Sequence, residues 1–269
     1  MPKNIHIAVL DVDIPARQLY EARASRLNEG HPANPFNVKV TPFDIRGGHY
    51  PDFELLRGHV SADHPPVAKP IDAILITGGS PGVYEMSHSP WMQILTHRVH
   101  PHACPRDPVR DVYVEKCPLG REVGIHTVQM EQEFLKAFPH ALGHLPKGQL
   151  RIQMFHGDRV MAVEKGTPVR LSESPPVSLP APWINVGSTP ICPIQGLYYP
   201  GRVLSVQGHY EMDAFGMKKM CVESAPSFGW KESKLSLFLE QVGPDLKERQ
   251  DDAKAFATAV VCFLAELEQ

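Results

Sequence analysis

Cysteine is scarce in this chain, with five in 269 residues, an odd number at irregular spacing and no CxxC pair. That excludes a disulfide framework and sets a reduced, cytoplasmic protein as the expectation. Long apolar runs are missing as well, since no stretch reaches the roughly 18 apolar residues of a membrane span. The first apolar segment, residues 5–10, is too short for a signal-peptide core and meets Asp11 and Asp13 at once. A membrane partner is therefore not expected. Neither charge sign dominates: Lys and Arg total 27 against 30 Asp and Glu, without blocks of either. Nucleic acid is excluded as a partner on the same ground. No nucleotide-binding signature, no cofactor motif and no internal repeat is visible.

What is present is a 42% hydrophobic share, ample for one core, and the expected organisation is a single domain over 1–269. Residues 5–12 are apolar and β-branched, as a strand needs, and Pro15 opens a helical stretch that ends before Gly30. Residues 36–43 form a second strand candidate. The run IDAILIT at 71–77 stops at Gly78 and Gly79, the pattern of a parallel strand buried on both faces and feeding a loop. A short helix is predicted over 91–99. Strands alternating with helices in this way predict an α/β fold, a doubly wound, mostly parallel sheet.

Beyond about residue 120 the extended pieces shorten, to 122–130, 150–155, 160–163, 169–171 and 194–199, which predicts antiparallel additions at one sheet edge. The Pro-rich stretch 172–182 reads as a surface loop between them. Residues 203–207, VLSVQ, predict another buried strand that ends at Gly208-His209-Tyr210-Glu211. Ala253, Phe256, Ala257, Val260, Leu264 and Leu267 fall at helical spacing and predict a C-terminal helix with its apolar stripe on the core.

Three motifs in order carry a resemblance. They are DAILITGGSPGVYE at 72–85 followed by Pro90-Trp91, then PLGREVG at 118–124 with FHGDRV at 155–160, and then QGHYE at 207–211. Together they resemble the class I glutamine amidotransferases, especially stand-alone fungal and bacterial proteins similar to the amidotransferase domain of GMP synthase. The resemblance implies a flavodoxin-like fold and hydrolysis of glutamine's side-chain amide, with ammonia passed to an acceptor, for which a partner enzyme is the candidate. Fungal relatives of this kind often sit in specialised (secondary) metabolism. It further implies that Gly79 and Ser80 belong to the oxyanion loop, and that Gly120, Glu122 and His156 line the substrate pocket. His209 would be the general base and Glu211 its orienter, with Tyr210 standing where the family has proline. An amide is a poor electrophile, so the family's chemistry needs a thiolate made by a nearby imidazole, and the carboxylate fixes that imidazole's tautomer.

The thiol is what the sequence does not supply. Family members carry the nucleophile in a G-x-C-x-G-H-Q elbow, a strained strand-to-helix turn after the Trp91 helix. Between Trp91 and Gly120 this chain has no glycine. Cys104 stands between Ala103 and Pro105, and proline has no N–H to give an oxyanion. Cys117 lies inside the pocket-like segment. A strand, the elbow and part of a helix are missing, by evolutionary loss or by an exon dropped from the gene model. The joint at 96–107, THRVHPHACPRD, matches neither a helix nor a buried strand and is expected to be irregular.

Other readings of these residues stand beside the functional ones. His97, His100, His102 and Cys104 suit zinc or copper chemically, but no ligand spacing is met and a solvated loop explains them, so no metal is expected. Cys192, Cys221 and Cys262 sit among apolar residues as small buried hydrophobes. His156 and Asp158 could form a turn held by local hydrogen bonds, and the glycines at 78–82 a simple turn. His209 and Glu211 could be a structural pair at a strand end. A catalytically inactive homologue that binds a small molecule or a partner protein is the alternative to an amidotransferase.

Overall fold

The computed structural model describes residues 3–12, 36–56, 70–103, 112–162, 179–244 and 251–265. The chain divides into two compact units, residues 1–108 with 261–267, and residues 109–260 with 268–269.

In the first unit β1 (Lys3–Asp11) lies between β2 (Phe36–Asp44) and β3 (Ala73–Ile76), and both pairings are parallel. Alternation along β1 sends Ile5, Ile7 and Val9 to one face and Ala8 and Leu10 to the other. Both faces are apolar because both are covered, as a parallel sheet requires. The first face packs on Val261 and Leu264, from the end of the C-terminal helix. The second packs on Trp91, Leu95 and Val99 of α1 (Pro90–Ala103), with Ile45, Phe53 and Ile71. Each fully buried Leu, Ile or Val of β1 contributes roughly 1.5–3 kcal/mol.

The expected helix over 91–99 is longer than the sequence suggested. Pro90 fits the first helical position, the Trp91, Leu95 and Val99 stripe anchors the helix to the sheet, and the helix runs on through Ala103. Residues 96–103, expected to be irregular, are thus helical. Pro101 lies in the last turn, where its missing N–H costs a single backbone bond. The helical stretch after Pro15, the extended piece 169–171, most of the loop 172–182, Cys104 and Leu267 fall outside the described residues.

Among the described residues of the second unit every strand pairing is antiparallel. Here β4 is Val112–Lys116, β5 Glu122–Met130, α2 Gln132–Ala137, α3 Pro139–Leu142, β6 Gln149–His156 and β7 Asp158–Ala162. Four short strands follow, β8 (Ile184–Asn185), β9 (Gly187–Ser188), β10 (Leu197–Tyr199) and β11 (Val203–Leu204), before α4 (Ala214–Ser224), α5 (Glu232–Val242) and α6 (Ala253–Ala265). β5 is flanked by β6 and β9, β4 pairs with β7, and β10 lies between β8 and β11.

The strands expected over 194–199 and 203–207 are shorter than that. Ile194 makes only an isolated bridge to Val160. At Ser205 the N–H still donates to the Leu197 carbonyl at 2.9 Å, but the Leu197 N–H is taken by the Ser205 hydroxyl at 3.0 Å instead of the backbone carbonyl, which ends the ladder. At Gly124, φ is +90° and an added Cβ would lie 2.5 Å from the Gln241 backbone, so only glycine lets α5 approach β5 this closely. Phe134, Phe138, Tyr198 and Phe256 form one aromatic core of this unit. Among the described residues no helix is long and apolar enough to cross a membrane.

Candidate functional site

The second unit brings four of the seven sequence-derived site residues into two histidine–carboxylate pairs. The first is His209 with Glu211. Gly208 makes an isolated antiparallel bridge to Met154, and the His209 N–H donates to the Gln153 carbonyl at 2.7 Å. An added Cβ at Gly208 would stand 2.9 Å from Ile152, so the small residue lets this segment close onto β6. Two residues on, the Glu211 carboxylate turns to the same side. His209 Nδ1 lies 2.6 Å from Glu211 Oε1, a charge-assisted contact. With Nδ1 donating to the carboxylate, Nε2 is left as the basic nitrogen, and no described residue bonds it. Glu211 is buried, while the His209 side chain is 19% exposed.

The second pair joins neighbouring strands. Glu122 opens β5 and stands opposite His156, the last residue of β6. Its carboxylate, 2% exposed, has Oε2 3.1 Å from His156 Nε2 and Oε1 3.6 Å from His126 Nδ1. The amide of Gln195 donates to Oε2 at 2.7 Å and also lies 3.0 Å from Thr189 Oγ1. Burial pushes the Glu122 carboxyl up, but hydrogen bonds from His156 and Thr189 and the charges of His156 and His126 outweigh it, so it is held below the ordinary glutamate value. His156 Nδ1 donates to the Asp158 carbonyl at 2.8 Å, the local bond of the turn reading. Nδ1 of this ring is therefore spent on the turn, while Nε2 meets the Glu122 carboxylate at ion-pair distance without the geometry of a hydrogen bond.

Gln195 was not legible as a site residue. It is fully buried, and because its nitrogen must face the Glu122 carboxylate, its oxygen is left without a partner. A buried orphan of that kind costs on the order of 1–3 kcal/mol, so the carboxylate contact has to outweigh it. The only hint in the sequence is one amide inside the tightly spaced run CPIQG at 192–196.

The remaining three residues lie elsewhere. Gly79 and Ser80 are exposed in the loop after β3, in the first unit, followed by the 3-10 turn Val83–His88. Gly120 sits in the exposed turn between β4 and β5 with φ at +116°, a conformation that selects glycine without any close neighbour. Beside it the Arg121 guanidinium stacks 4.0 Å over the Phe228 ring.

None of the described cysteines serves His209. Cys117, Cys192, Cys221 and Cys262 are buried and form no disulfide with one another, and no described thiol is bonded to the His209 imidazole. Burial pushes the Cys192 thiol up to about 11, and the Glu122 charge adds to it. Its sulfur is held by the Gln207 amide at 2.9 Å and faces the Ile194 carbonyl at 3.2 Å. Burial likewise raises Cys221 to about 11. β4 ends at Lys116, and Cys117 opens a turn that leads to β5 with no helix between them. Only residues 104–111 join α1 to β4. A strand of about 5 residues plus a helix of about 11 would not fit that length. Among the described residues no group of three or more His, Cys, Asp or Glu side chains could hold a metal ion.

No protein-family model and no curated protein sequence matches this chain. Among solved structures it is similar to a glutamine amidotransferase from Thermotoga maritima, at 15% identity and a TM-score of 0.57, covering 97% of this chain and 96% of that one. It is also similar to a glutamine amido transferase from Methylobacillus flagellatus, at 13% identity and a TM-score of 0.53, covering 100% of this chain and 96% of that one. At such identities the likeness is one of fold.

Proposed function

We propose that this chain is a glutamine amidotransferase-like protein in which the acid–base pair is kept and the thiol chemistry is lost, leaving a site that binds a small molecule without hydrolysing it. The observation that carries this reading is His209 Nδ1 at 2.6 Å from Glu211, with no described residue bonded to Nε2 and no described thiol bonded to the ring. In the reaction implied by the resemblance, a cysteine thiolate adds to the amide carbonyl, the imidazole passes the thiol's proton to the departing nitrogen, and ammonia leaves. An imidazole without that sulfur can orient and hydrogen-bond an amide, but it forms no acyl-enzyme.

The finer parts of the reading follow from the same resemblance. The whole of 1–269 is taken as one doubly wound, mostly parallel domain, in which the missing elbow leaves a short connection after α1. Glutamine is the ligand class proposed, and a partner enzyme that accepts ammonia in related systems would receive none from this chain. A place in specialised metabolism comes with the fungal relatives, and a cytoplasmic address with five irregularly spaced cysteines, of which the four described form no disulfide with one another.

Purified protein is expected to show no glutaminase turnover and no labelling of Cys104 by a glutamine-mimicking electrophile. Calorimetric titration with glutamine is expected to give saturable binding that His209→Ala weakens. Measurable turnover abolished by Cys104→Ala overturns the reading, and so does a longer transcript that encodes a G-x-C-x-G-H-Q segment between codons 96 and 112.

A further inference from the structure

The segment that carries His209 is held at two points. On one side the His209 N–H donates to the Gln153 carbonyl at 2.7 Å. On the other, the Gln207 N–H donates to the Gln195 carbonyl at 2.9 Å, and the Gln207 side chain reaches the Cys192 sulfur and the Ile194 carbonyl. The second anchor depends on where residues 192–195 lie. That stretch is fixed by the Gln195 N–H to the Gly187 carbonyl at 2.8 Å, by the Cys192 N–H to Thr189 Oγ1 at 3.3 Å, and by the Gln195 side chain on Glu122 at 2.7 Å. Of these only the last ends on a buried charge.

We infer that Gln195, braced by the Glu122 carboxylate, is a positioning residue for the His209–Glu211 pair: the juxtaposition of Glu122, Gln195 and Gln207 forms a buried strut that sets where the imidazole stands. Its orphaned amide oxygen is the mark of that role, because an amide free to turn would satisfy itself and abandon the carboxylate. Glu122 and His156 then act through Gln195 instead of touching a ligand. The strut rests on the reading that the His209 pair is the functional centre, but it does not need turnover. It would hold the imidazole in the same place whether or not a thiol were present.

The test reads the imidazole itself. In protein labelled at histidine, the His209 ring resonances, assigned by their loss in His209→Gln, are followed by NMR at a temperature where far-UV circular dichroism shows the fold intact. Gln195→Leu is expected to shift them. Val128→Ala, a small core truncation further along β5, is expected to lower the melting temperature and leave them in place. Glu122→Gln is the second variant, isosteric and uncharged, and is expected to shift the His209 resonances in the same direction if Gln195→Leu does not fold. Resonances unmoved in whichever of the two variants folds, or moved equally by Val128→Ala, overturn the strut. Failure of the glutamine-binding experiment would leave this result untouched, so the two ideas fall separately.

Discussion

The two histidine–carboxylate pairs of the second unit differ in what each leaves unbonded. At His209 one nitrogen meets Glu211 and the other meets no described residue, and the ring is partly open to solvent. At His156 one nitrogen is spent on a backbone carbonyl and the other faces a carboxylate that is 2% exposed. The first pair has the form of a base kept ready, the second that of a brace. Similar residue types thus stand in two different settings, and the deciding quantity is what the second ring nitrogen faces: no described residue at His209, a buried carboxylate at His156.

The sharpest way to break this comparison is to remove each carboxylate in turn. Glu122→Ala should cost on the order of 3–5 kcal/mol in chemical denaturation, since it leaves His156 and the Gln195 amide buried without their partner. A loss under about 1 kcal/mol would show that the brace bears little of the fold. Acid separates the pairs next. The Glu122 carboxyl is held below its ordinary value of 4.5, so the unfolded state takes up its proton first as pH falls. The stability from Glu122 is therefore complete above the unfolded pKa and is lost as pH drops through the lower folded value. Denaturation midpoints at pH 7 and near pH 4 should differ more for the wild type than for Glu122→Gln, and equal differences would remove the carboxylate from the account.

The same contrast marks what the sequence could tell. β1 was legible because a parallel strand covered on both faces must be a near-continuous aliphatic run, as IAVL is. AILI of β3, read in the same way, is only half-buried at the end of the described sheet, with Ile76 exposed. The pairing of residue 209 with 211 was legible from a two-residue spacing at a strand end. Glu122 and His156 stand 34 residues apart, so only the resemblance put them together, and their bracing geometry depends on cross-strand register that no local pattern carries. Gln195 was invisible because a buried amide and an exposed one read alike. The last turns of α1 were missed because histidine and proline argue locally against a helix, while the packing of Trp91, Leu95 and Val99 decides it.

The smallest expected effect sharpens the other side of the comparison. Glu211→Gln keeps an oxygen that can accept the Nδ1–H of His209, so the bond survives without its charge and the fold should lose only about 1 kcal/mol. What changes is the ring. A neutral amide no longer fixes the tautomer so firmly, so NMR of the His209 ring nitrogens should show the second tautomer populated in this variant. A base kept ready needs that carboxylate for its chemistry more than the fold needs it for stability. Should Glu211→Gln instead cost as much as Glu122→Ala and leave the His209 tautomer unchanged, the pair at 209 and 211 would be a second brace, and the proposed site would lose its centre.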